Sequence, residues 1–358
     1  MGATFGRNLR MTIFGESHGK GIGLVLDGLP PGTRLDEEFI KEEMARRAPG
    51  QNRMSTQRQE KDAYIIESGV FEGKATGTPL CVLIPNSDQH SKDYSLLKDV
   101  MRPGHADYAG KVRYKGFNDY RGGGHFSGRL TAPLVFTGSV AKSVLAQKGI
   151  AVGAHIARIG TITDSLFDPL GEPEERLLAL RKQTLPVLDE SKAPLMEAEI
   201  LSAREQQDSV GGIIEVMATG IPAGIGDPFF DSLESRLAHA LFSVPAVKGL
   251  EFGAGFAIAG LKGSEANDPM VFDGDRVKAI RNSNGGITGG ITNGMPVLLR
   301  VAIKPTPSIS QPQQTVNVTE GKNTVLEIKG RHDPCIVPRA VPVIEAVTAW
   351  VLLDMLLG

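Results

Sequence analysis

Apolar and polar positions along the chain follow strand-like and helix-like periods in turn. Gly23 to Asp27 is an apolar run typical of a buried strand, and turn-forming residues follow it at 28–32. Asp36 then precedes two glutamates, a pattern that predicts a helix N-cap and a helix running to about Arg47. Further strands are predicted at 70–85, 150–159, 211–219, 249–260 and 295–304, and further helices at 127–147, at 232–242 and after Pro342. This mixed order predicts a layered α/β or α+β fold.

Two segments share one pattern. GLVLDGLPPG at 23–32 and EVMATGIPAG at 215–224 each predict a strand, a turn and then an acidic helix start, near Asp36 and near Asp231. Because the pattern occurs only twice, it indicates a weak internal duplication and not a solenoid. No linker of biased composition interrupts the chain, so residues 1–358 are predicted to form a single domain.

Composition limits the classes of partner. The formal net charge is -2, so no basic surplus points to nucleic acid or to an anionic membrane. The two cysteines form no CxxC pair, which favours a reducing compartment and argues against a cysteine-based metal site. The histidines show no HExxH spacing. The N-terminal segment lacks the features of a signal peptide, and the apolar run 346–357 is too short to span a bilayer. We therefore expect a soluble cytoplasmic protein without a metal.

Glycine is enriched and clustered: it accounts for 43 of 358 residues, about 12%, whereas its usual share is about 7%. Gly122 to Gly124 run into a predicted helix N-terminus, where free N–H groups and the helix dipole favour an anion. This run matches neither a Walker A loop nor a Rossmann fingerprint. A second glycine-rich stretch at 284–290 is, on its own, typical of a turn region between strands.

Arginines are clustered before and within a polar segment. Arg46 and Arg47 lie at the predicted helix C-terminus, where cations stabilise the helix dipole in any case. Arg53 and Arg58 follow in a segment with no helix to complement. Guanidinium groups pair bidentately with phosphate and carboxylate, so this cluster is a candidate clamp for a small anion.

Histidines and acidic residues lie in three short turns. GESHG contains His18 in a sharp turn, and its spacing is not that of the hydrolase elbow. RPGHADY contains His105 beside a Pro-Gly pair, and histidine can donate or accept a proton near neutrality. RHDP contains Asp333 near an arginine, which would keep a buried carboxylate ionised and able to act as a base. Each segment alone is also explained by an ordinary turn, but together they predict an enzyme that binds a small polyanion.

Five motifs in this order resemble the chorismate synthase family. They are GESHG (15–19), RPGHADY (102–108), DYRGGG (119–124), KPTPS (304–308) and RHDPC (331–335). The resemblance extends from about residue 5 to the C-terminus. It implies an α+β fold that is a single-domain β-α-β sandwich, and a homotetramer. It also implies that 5-enolpyruvylshikimate 3-phosphate is converted to chorismate and phosphate by a 1,4-anti elimination, with reduced FMN and no net redox change. NADPH is a candidate reductant of the flavin.

The resemblance further implies roles for individual residues. His18 would protonate the departing phosphate, His105 would manage the charge of the reduced flavin, and Asp333 would relay the proton at flavin N5. The implied substrate-binding residues are Arg47, Arg53, Arg58 and Arg129. The implied cofactor-binding residues are His125, Phe126, Ser127, Ala246, Gly289, Lys304, Pro305, Thr306, Pro307, Ser308 and Arg331.

The chain departs from the family pattern at a few positions. Ala48 stands where an arginine is usual, and Pro245 stands where an asparagine is usual. The usual GGGRSSARET is GGGHFSGRLT here, which introduces His125, Phe126 and Leu130. We expect Phe126 to stack on the flavin and His125 to keep a partial phosphate contact. Two other functions fit the same residues: a flavin-dependent NAD(P)H reductase with true hydride transfer, and a non-catalytic protein that binds flavin or a phosphometabolite.

Overall fold

The computed structural model describes residues 2–50, 54, 62–86, 96–328 and 333–358, and its helices and strands alternate in mixed order. The helices are α1 (Glu37–Arg47), α2 (Asp107–Arg113), α3 (Thr131–Ala146), α4 (Glu174–Leu180), α5 (Lys192–Glu205), α6 (Leu233–Ser243), α7 (Gly263–Ala266) and α8 (Val337–Leu356). The strands are β1 (Thr4–Phe5), β2 (Arg10–Gly15), β3 (Gly21–Asp27), β4 (Ile65–Ser68), β5 (Val70–Phe71), β6 (Lys74–Ala75), β7 (Leu80–Pro85), β8 (Ala151–Ile159), β9 (Ile162–Thr163), β10 (Gly212–Thr219), β11 (Val247–Phe252), β12 (Met270–Asp273), β13 (Arg276–Ala279), β14 (Ile287–Thr288), β15 (Ile291–Thr292), β16 (Val297–Ile303), β17 (Gln313–Asn317) and β18 (Lys322–Leu326).

Two antiparallel five-stranded sheets contain the longer strands. Their strand orders are β1-β2-β3-β7-β4 and β11-β16-β10-β8-β9. The central strands β3 and β10 are the predicted strands of the two similar sequence segments. Leu24 in β3 and Val216 in β10 are wholly buried, as expected for strands whose apolar face covers a core.

Helices α1, α3 and α8 pack against one another and connect the two sheets. α8 also packs on β8 and β10 of the second sheet, while α3 contacts β3 of the first. The largest apolar core includes Leu24 of the first sheet, Val216 of the second, and Phe136 and Val347 of α3 and α8. The fold is therefore a mixed α+β architecture. Among the described residues, no helix is both long and apolar enough to cross a membrane.

A buried ionic cluster joins the three central helices. Glu43 of α1 and Glu345 of α8 are both wholly buried. Lys142 of α3 bonds both carboxylates, at 2.6 Å to Glu43, and Arg46 bonds them at 3.0 and 2.7 Å. Arg181, after α4, reaches Glu43 at 2.8 Å. Burial alone would raise the pKa of Glu43, but these three cations hold it far below its usual range.

Most elements predicted from periodicity are confirmed. β3, α1, β8, β10, α6 and β16 closely follow their predicted bounds. Asp36 is the N-cap of α1, where its carboxylate accepts a hydrogen bond from the Phe39 N–H at 3.1 Å. In the second similar segment, Ser232 and not Asp231 caps the helix, with its hydroxyl accepting from the Ser235 N–H.

Four predicted bounds were wrong, three of them because of local backbone conformation and one because of tertiary packing. The strand predicted at 249–260 ends at Phe252, because Gly253 has a φ of 53° and a 3-10 helix follows at 255–260. The segment 70–85 is three short strands and not one, since Gly73 and Gly77 both turn the chain at positive φ.

The other two wrong bounds are helix starts. Ser127 has extended backbone angles, so α3 begins only at Thr131 after a 3-10 turn. The last helix begins at Val337 and continues through Pro342. Nearly all of α8 is buried, and packing on several elements outweighs the one backbone hydrogen bond that this proline removes.

A second buried charge cluster lies in the second sheet. His155 of β8 bonds Asp164 at 3.2 Å and Glu215 of β10 at 2.9 Å, and Arg300 of β16 reaches Glu215 at 3.3 Å. Burial alone lowers the pKa of His155, but the hydrogen bonds to the two carboxylates outweigh it and raise the pKa. His155 also packs against the Phe167 ring at 4.6 Å.

The raised pKa of His155 predicts a pH-dependent contribution to stability. The imidazolium stabilises the fold fully below the unfolded-state pKa of about 6.5, and this contribution is lost as the pH rises through the folded-state pKa. We expect the free energy of unfolding of the wild type, relative to His155→Gln, to decrease as the pH rises above about 6.5. Denaturant titrations at several pH values measure this difference. A difference that stays constant or grows with pH contradicts the expectation.

Candidate active site

The glycine run 122–124 lies directly against His18. Ser17 donates from its hydroxyl to the Gly122 carbonyl at 3.0 Å, and its N–H donates to the Gly124 carbonyl at 3.2 Å. The His18 ring is buried and lies 3.1 Å, at Nδ1, from the Ser17 hydroxyl. Gly122 has a φ of 57°, and a Cβ there would collide with the His18 ring. The sequence therefore needs glycine at 122 to bring this histidine into the turn.

His105 lies on the next glycine of the same run. A Cβ on Gly123 would lie 3.2 Å from both Cε1 and Nε2 of His105. The other ring nitrogen, Nδ1, is 2.6 Å from the Asp107 carboxylate. Arg102 bonds the same carboxylate at 2.7 and 2.8 Å. Asp107 thus orients the ring so that Nε2 faces the glycine run.

The pKa of Asp107 reflects this arrangement. Burial alone would raise it, but hydrogen bonds from Arg102 and His105 hold it well below its usual range. An ionised Asp107 favours a proton on His105 Nδ1, so Nε2 is the nitrogen that can exchange a proton with a bound molecule.

The predicted cofactor segment 304–308 packs on the same turn. Arg102 donates to the Ser308 hydroxyl at 3.3 Å, and Lys304 bonds the Gly104 carbonyl through its ammonium. Ala246 accepts from the Lys304 N–H at 2.9 Å and has a φ of 75°, which is unusual for alanine. Burial and the nearby Lys248 lower the pKa of Lys304. Segment 304–308 and Ala246 are thus brought together beside His105.

Two predicted substrate arginines meet at one buried carboxylate. Arg47, at the end of α1, donates from Nε to Asp62 at 2.7 Å and also pairs with it through Nη2. Arg129, just before α3, pairs with the other oxygen of Asp62. Arg129 also donates to Asn86 at 2.8 Å, and Asn86 donates to the Glu16 carbonyl at 3.0 Å. The arginine pair is therefore linked to the turn that contains His18.

Asp333 reaches the same region from the start of α8. Its carboxylate pairs with Arg339, and Arg339 donates from Nε to the Arg47 carbonyl at 3.0 Å. Burial lowers the pKa of Arg339. The structure thus brings together His18, His105, Arg47, Arg129 and Asp333 through direct or shared partners.

Other predicted residues have local partners in the structure. His125 bonds the Gly15 carbonyl at 2.8 Å, and Ser127 accepts from the Arg129 N–H at 3.3 Å. Phe126 packs on Gly110 and Tyr114 of α2. Among the described residues, a Cβ on Gly289 would meet no atom within 4 Å, so packing does not tie Gly289 to the histidines.

Some predictions lie elsewhere or outside the described residues. Arg46 does not join the anion clamp predicted for its cluster, because it belongs to the buried cluster with Glu43 and Glu345. Arg53, Arg58 and Arg331 lie outside the described residues.

Segment 304–308 contains a buried hydroxyl that a polar atom of a bound ligand could pair with. The Thr306 hydroxyl oxygen is buried and has no hydrogen-bond partner within the part of the chain that the structure describes. Burying such a hydroxyl without a partner is costly, so a ligand with a matching polar atom is favoured there. Within the same described ranges, no cluster of three His, Cys, Asp or Glu side chains could hold a metal ion.

Sequence reasoning missed several residues that organise the site. Asp62, Asn86 and Arg339 make their contacts with residues distant in sequence, and no local motif marked them. Asp107 was visible, since RPGHADY contains it two residues after His105, but its pairing with Arg102 required the structure.

The collision at Gly122 gives a direct test of the site. We expect Gly122→Ala to lower catalytic turnover by about 100-fold or more, because a shift of about 1 Å in a reacting group costs that much. Gly128→Ala is the matched control, since a Cβ there meets no atom within 4 Å. Turnover and melting temperature are measured together for both variants. Unchanged turnover in Gly122→Ala would remove the contact with His18 from the catalytic geometry.

Comparisons with known proteins identify the family of the chain. Residues 9–357 match the chorismate synthase family. Chorismate synthase of Thermococcus gammatolerans is 50% identical over 352 residues, which cover 98% of this chain and 97% of that protein. Chorismate synthase of Methanocella arvoryzae is 48% identical over 360 residues, covering 100% and 95%. A crystal structure of chorismate synthase superposes with a TM-score of 0.77 at 32% identity, covering 99% of this chain and 93% of that one. The chain belongs to the chorismate synthase family of chorismate-forming lyases.

Proposed function

We propose that this site converts 5-enolpyruvylshikimate 3-phosphate to chorismate and phosphate by a 1,4-anti elimination, as a step of aromatic amino-acid biosynthesis. One observation carries the proposal: the consecutive glycines 122 and 123 lie against His18 and His105 respectively. Two histidines on one glycine turn can serve a leaving group and a cofactor at the same time. The motifs that contain them are those on which the family resemblance depends.

His18 is proposed to protonate the departing phosphate. As the phosphate ester C–O bond breaks, negative charge develops on the leaving oxygen, and a proton donor at that oxygen lowers the barrier. The contact between the His18 ring and the Ser17 hydroxyl fixes the ring plane against the glycine turn. The buried position of the ring excludes water from the proton that it transfers.

Arg47 and Arg129 are proposed to bind the anionic groups of the substrate. Guanidinium groups match phosphate and carboxylate geometry, and both side chains are nearly buried, so their hydrogen bonds are strengthened by a low dielectric. Arg53 and Arg58 remain proposed partners of the same groups. These contacts orient the substrate and so lower the entropy cost of reaching the reactive geometry.

Reduced FMN is the proposed cofactor, and segment 304–308 with Ala246 is its proposed binding surface. The buried Thr306 hydroxyl and the cationic Lys304 supply a donor, an acceptor and a positive charge for a flavin phosphate or ring. His125, Phe126, Ser127, Gly289 and Arg331 complete the proposed contacts. When bound, reduced FMN would supply electron density to the breaking C–O bond and, at N5, an acceptor for the substrate's C6 hydrogen.

His105 and Asp333 are proposed to manage protons near the flavin. His105 Nε2 faces the glycine run, and Asp107 holds the opposite nitrogen. The ion pair with Arg339 fixes the position of the Asp333 carboxylate, which is proposed to relay the proton at flavin N5. NADPH is the proposed reductant where the flavin is reduced on this protein.

The family resemblance also supports a proposal for the architecture. The chain is proposed to form one domain, a β-α-β sandwich with α1, α3 and α8 between two sheets that arose by duplication.

A homotetramer in the cytoplasm is proposed as the working form. Phe229, Phe230, Phe256 and Phe272 are more than four-fifths exposed, and such aromatic surface favours burial between subunits. Sedimentation velocity measures the number of subunits.

An anaerobic assay tests the function. The protein is mixed with 5-enolpyruvylshikimate 3-phosphate and photoreduced FMN, and chorismate absorbance and phosphate release are followed together. We expect both products in equal amounts without net flavin oxidation. Consumption of one NADPH per turnover would instead support the reductase, and flavin binding without either product would support the non-catalytic binding protein.

His18→Ala tests the assignment of the proton donor. We expect turnover to fall by about 100- to 10,000-fold, the usual range for a general acid, while flavin binding is retained. Asp333→Asn serves as the comparison and is expected to slow the proton step more than it weakens binding. Unchanged turnover in His18→Ala would remove His18 from the mechanism, and a pure affinity defect in Asp333→Asn would reassign Asp333.

A further inference from the structure

A wholly buried carboxylate lies between two arginines of the proposed anion site. The side chain of Asp62 has no exposed area, and those of Arg47 and Arg129 are 4% and 5% exposed. One oxygen of Asp62 accepts from Nε and Nη2 of Arg47, and the other accepts from Nη1 of Arg129. No motif in the sequence marked Asp62, and the proposed mechanism does not use it.

The position of this carboxylate has an electrostatic cause. Two buried guanidinium groups close enough to share one carboxylate repel each other, and the repulsion is strong where the dielectric constant is low. Asp62 compensates one of the two charges and bonds a different oxygen to each arginine. The three side chains together carry one positive charge, which leaves an attraction for an anionic group of the substrate.

Further hydrogen bonds hold the two guanidinium groups in place, one at Arg47 and another at Arg129. Arg47 directs Nη1 to the Thr131 hydroxyl at 3.4 Å, at the start of α3. Arg129 donates from Nε to the side-chain oxygen Oδ1 of Asn86, and the side-chain Nδ2 of Asn86 donates to the backbone carbonyls of Glu16 and Gly19 at 3.0 Å. Asp62 therefore stands at the centre of a chain of bonds that runs from α1 to the turn containing His18.

The backbone of Asp62 also has an unusual conformation at this position. Its φ is 49°, in the left-handed region that residues other than glycine seldom adopt. The side chain lies in the protein interior, where a carboxylate is stable only while it is paired. Both features favour a carboxylate that stays in place when an anion binds.

We infer that Asp62 is a positioning residue, which holds Arg47 and Arg129 as a pair directed at one anionic group of the substrate. The inference rests on the proposed function, because it assumes that these arginines bind substrate. Asp62 does not contact the reacting atoms in this role. Its effect on the reaction passes through the two guanidinium groups.

Asp62→Asn tests the inference, because it keeps the volume and removes the charge. The amide can accept from one arginine only, and its NH2 group faces the other. We expect kcat to fall by about 10-fold or more, since misplaced contacts cost orientation, and KM for the substrate to rise about 3- to 10-fold. Arg47→Lys combined with Asp62→Asn is expected to cost less than the sum of the two single free-energy effects, because Asp62 acts in part through Arg47.

Asp354→Asn is the matched control for stability. Asp354 is also buried and paired with an arginine, Arg236, at 3.0 Å, and it accepts backbone N–H groups of residues 7–9. We expect a lowered melting temperature in both aspartate variants and a loss of kcat only in Asp62→Asn. Equal kcat values in the two variants would reduce Asp62 to a structural role and overturn the inference.

Two further outcomes would also overturn it. A lowered KM with unchanged kcat in Asp62→Asn would mean that the carboxylate competes with the substrate for the arginines. Additive effects in the double variant would mean that Asp62 does not act through Arg47.

The inference and the proposed function fail in different ways. A wild-type protein that forms no chorismate refutes the function and leaves the arginine pair to be tested with inorganic phosphate. Phosphate is then expected to raise the melting temperature of wild type and of Asp354→Asn, and to raise that of Asp62→Asn by less than half as much. Equal protection of all three proteins, or greater protection of Asp62→Asn, would overturn the positioning role.

Discussion

The buried cluster of Glu43 and Glu345 with three cations is the interaction on which the site geometry depends. Two carboxylates without solvent contact are tolerated only because Lys142, Arg46 and Arg181 pair with them. Glu43, Lys142 and Glu345 come from α1, α3 and α8, so these three helices can pack together only in the register that pairs their charges. A sliding of one helix by a turn would leave a buried ion unpaired, at a cost of about 3–5 kcal/mol.

That register also positions the proposed active site. α1 ends at Arg47, α3 begins two residues after Arg129, and α8 begins four residues after Asp333. One apolar contact reinforces the same arrangement: Gly138 of α3 has no side chain, and a Cβ there would collide with Ala346 of α8. The close approach of α3 and α8 and the pairing of the buried charges therefore fix three site residues that lie far apart in the sequence.

The sequence predicted the parts of this protein that depend on neighbouring residues. Asp36 as a helix cap and the strand ending at Asp27 follow from local patterns, and the turns with His18 and His105 were visible as motifs. Long-range pairing was not predictable in this way. Arg46 and Arg47 are adjacent and chemically alike, yet Arg46 pairs with Glu345 between the helices and Arg47 pairs with Asp62. The two side chains point in different directions because successive helical residues are rotated by about 100°. Nothing in the local sequence tells which of the two faces which partner.

The proposed site recognises an anion through oriented donors and not through an excess of positive charge. Asp107 pairs with Arg102, Asp119 with Arg121, Asp333 with Arg339, and Asp62 with the remaining two arginines of the described site. Each carboxylate lowers the total charge and, in exchange, fixes the direction of a guanidinium or imidazole group. Fixed donors need no reorganisation when charge develops on a leaving phosphate, so they stabilise a transition state more than mobile cations would. Because the chain has a net charge of -2, the proposed binding of a polyanion depends on these oriented donors and not on net charge.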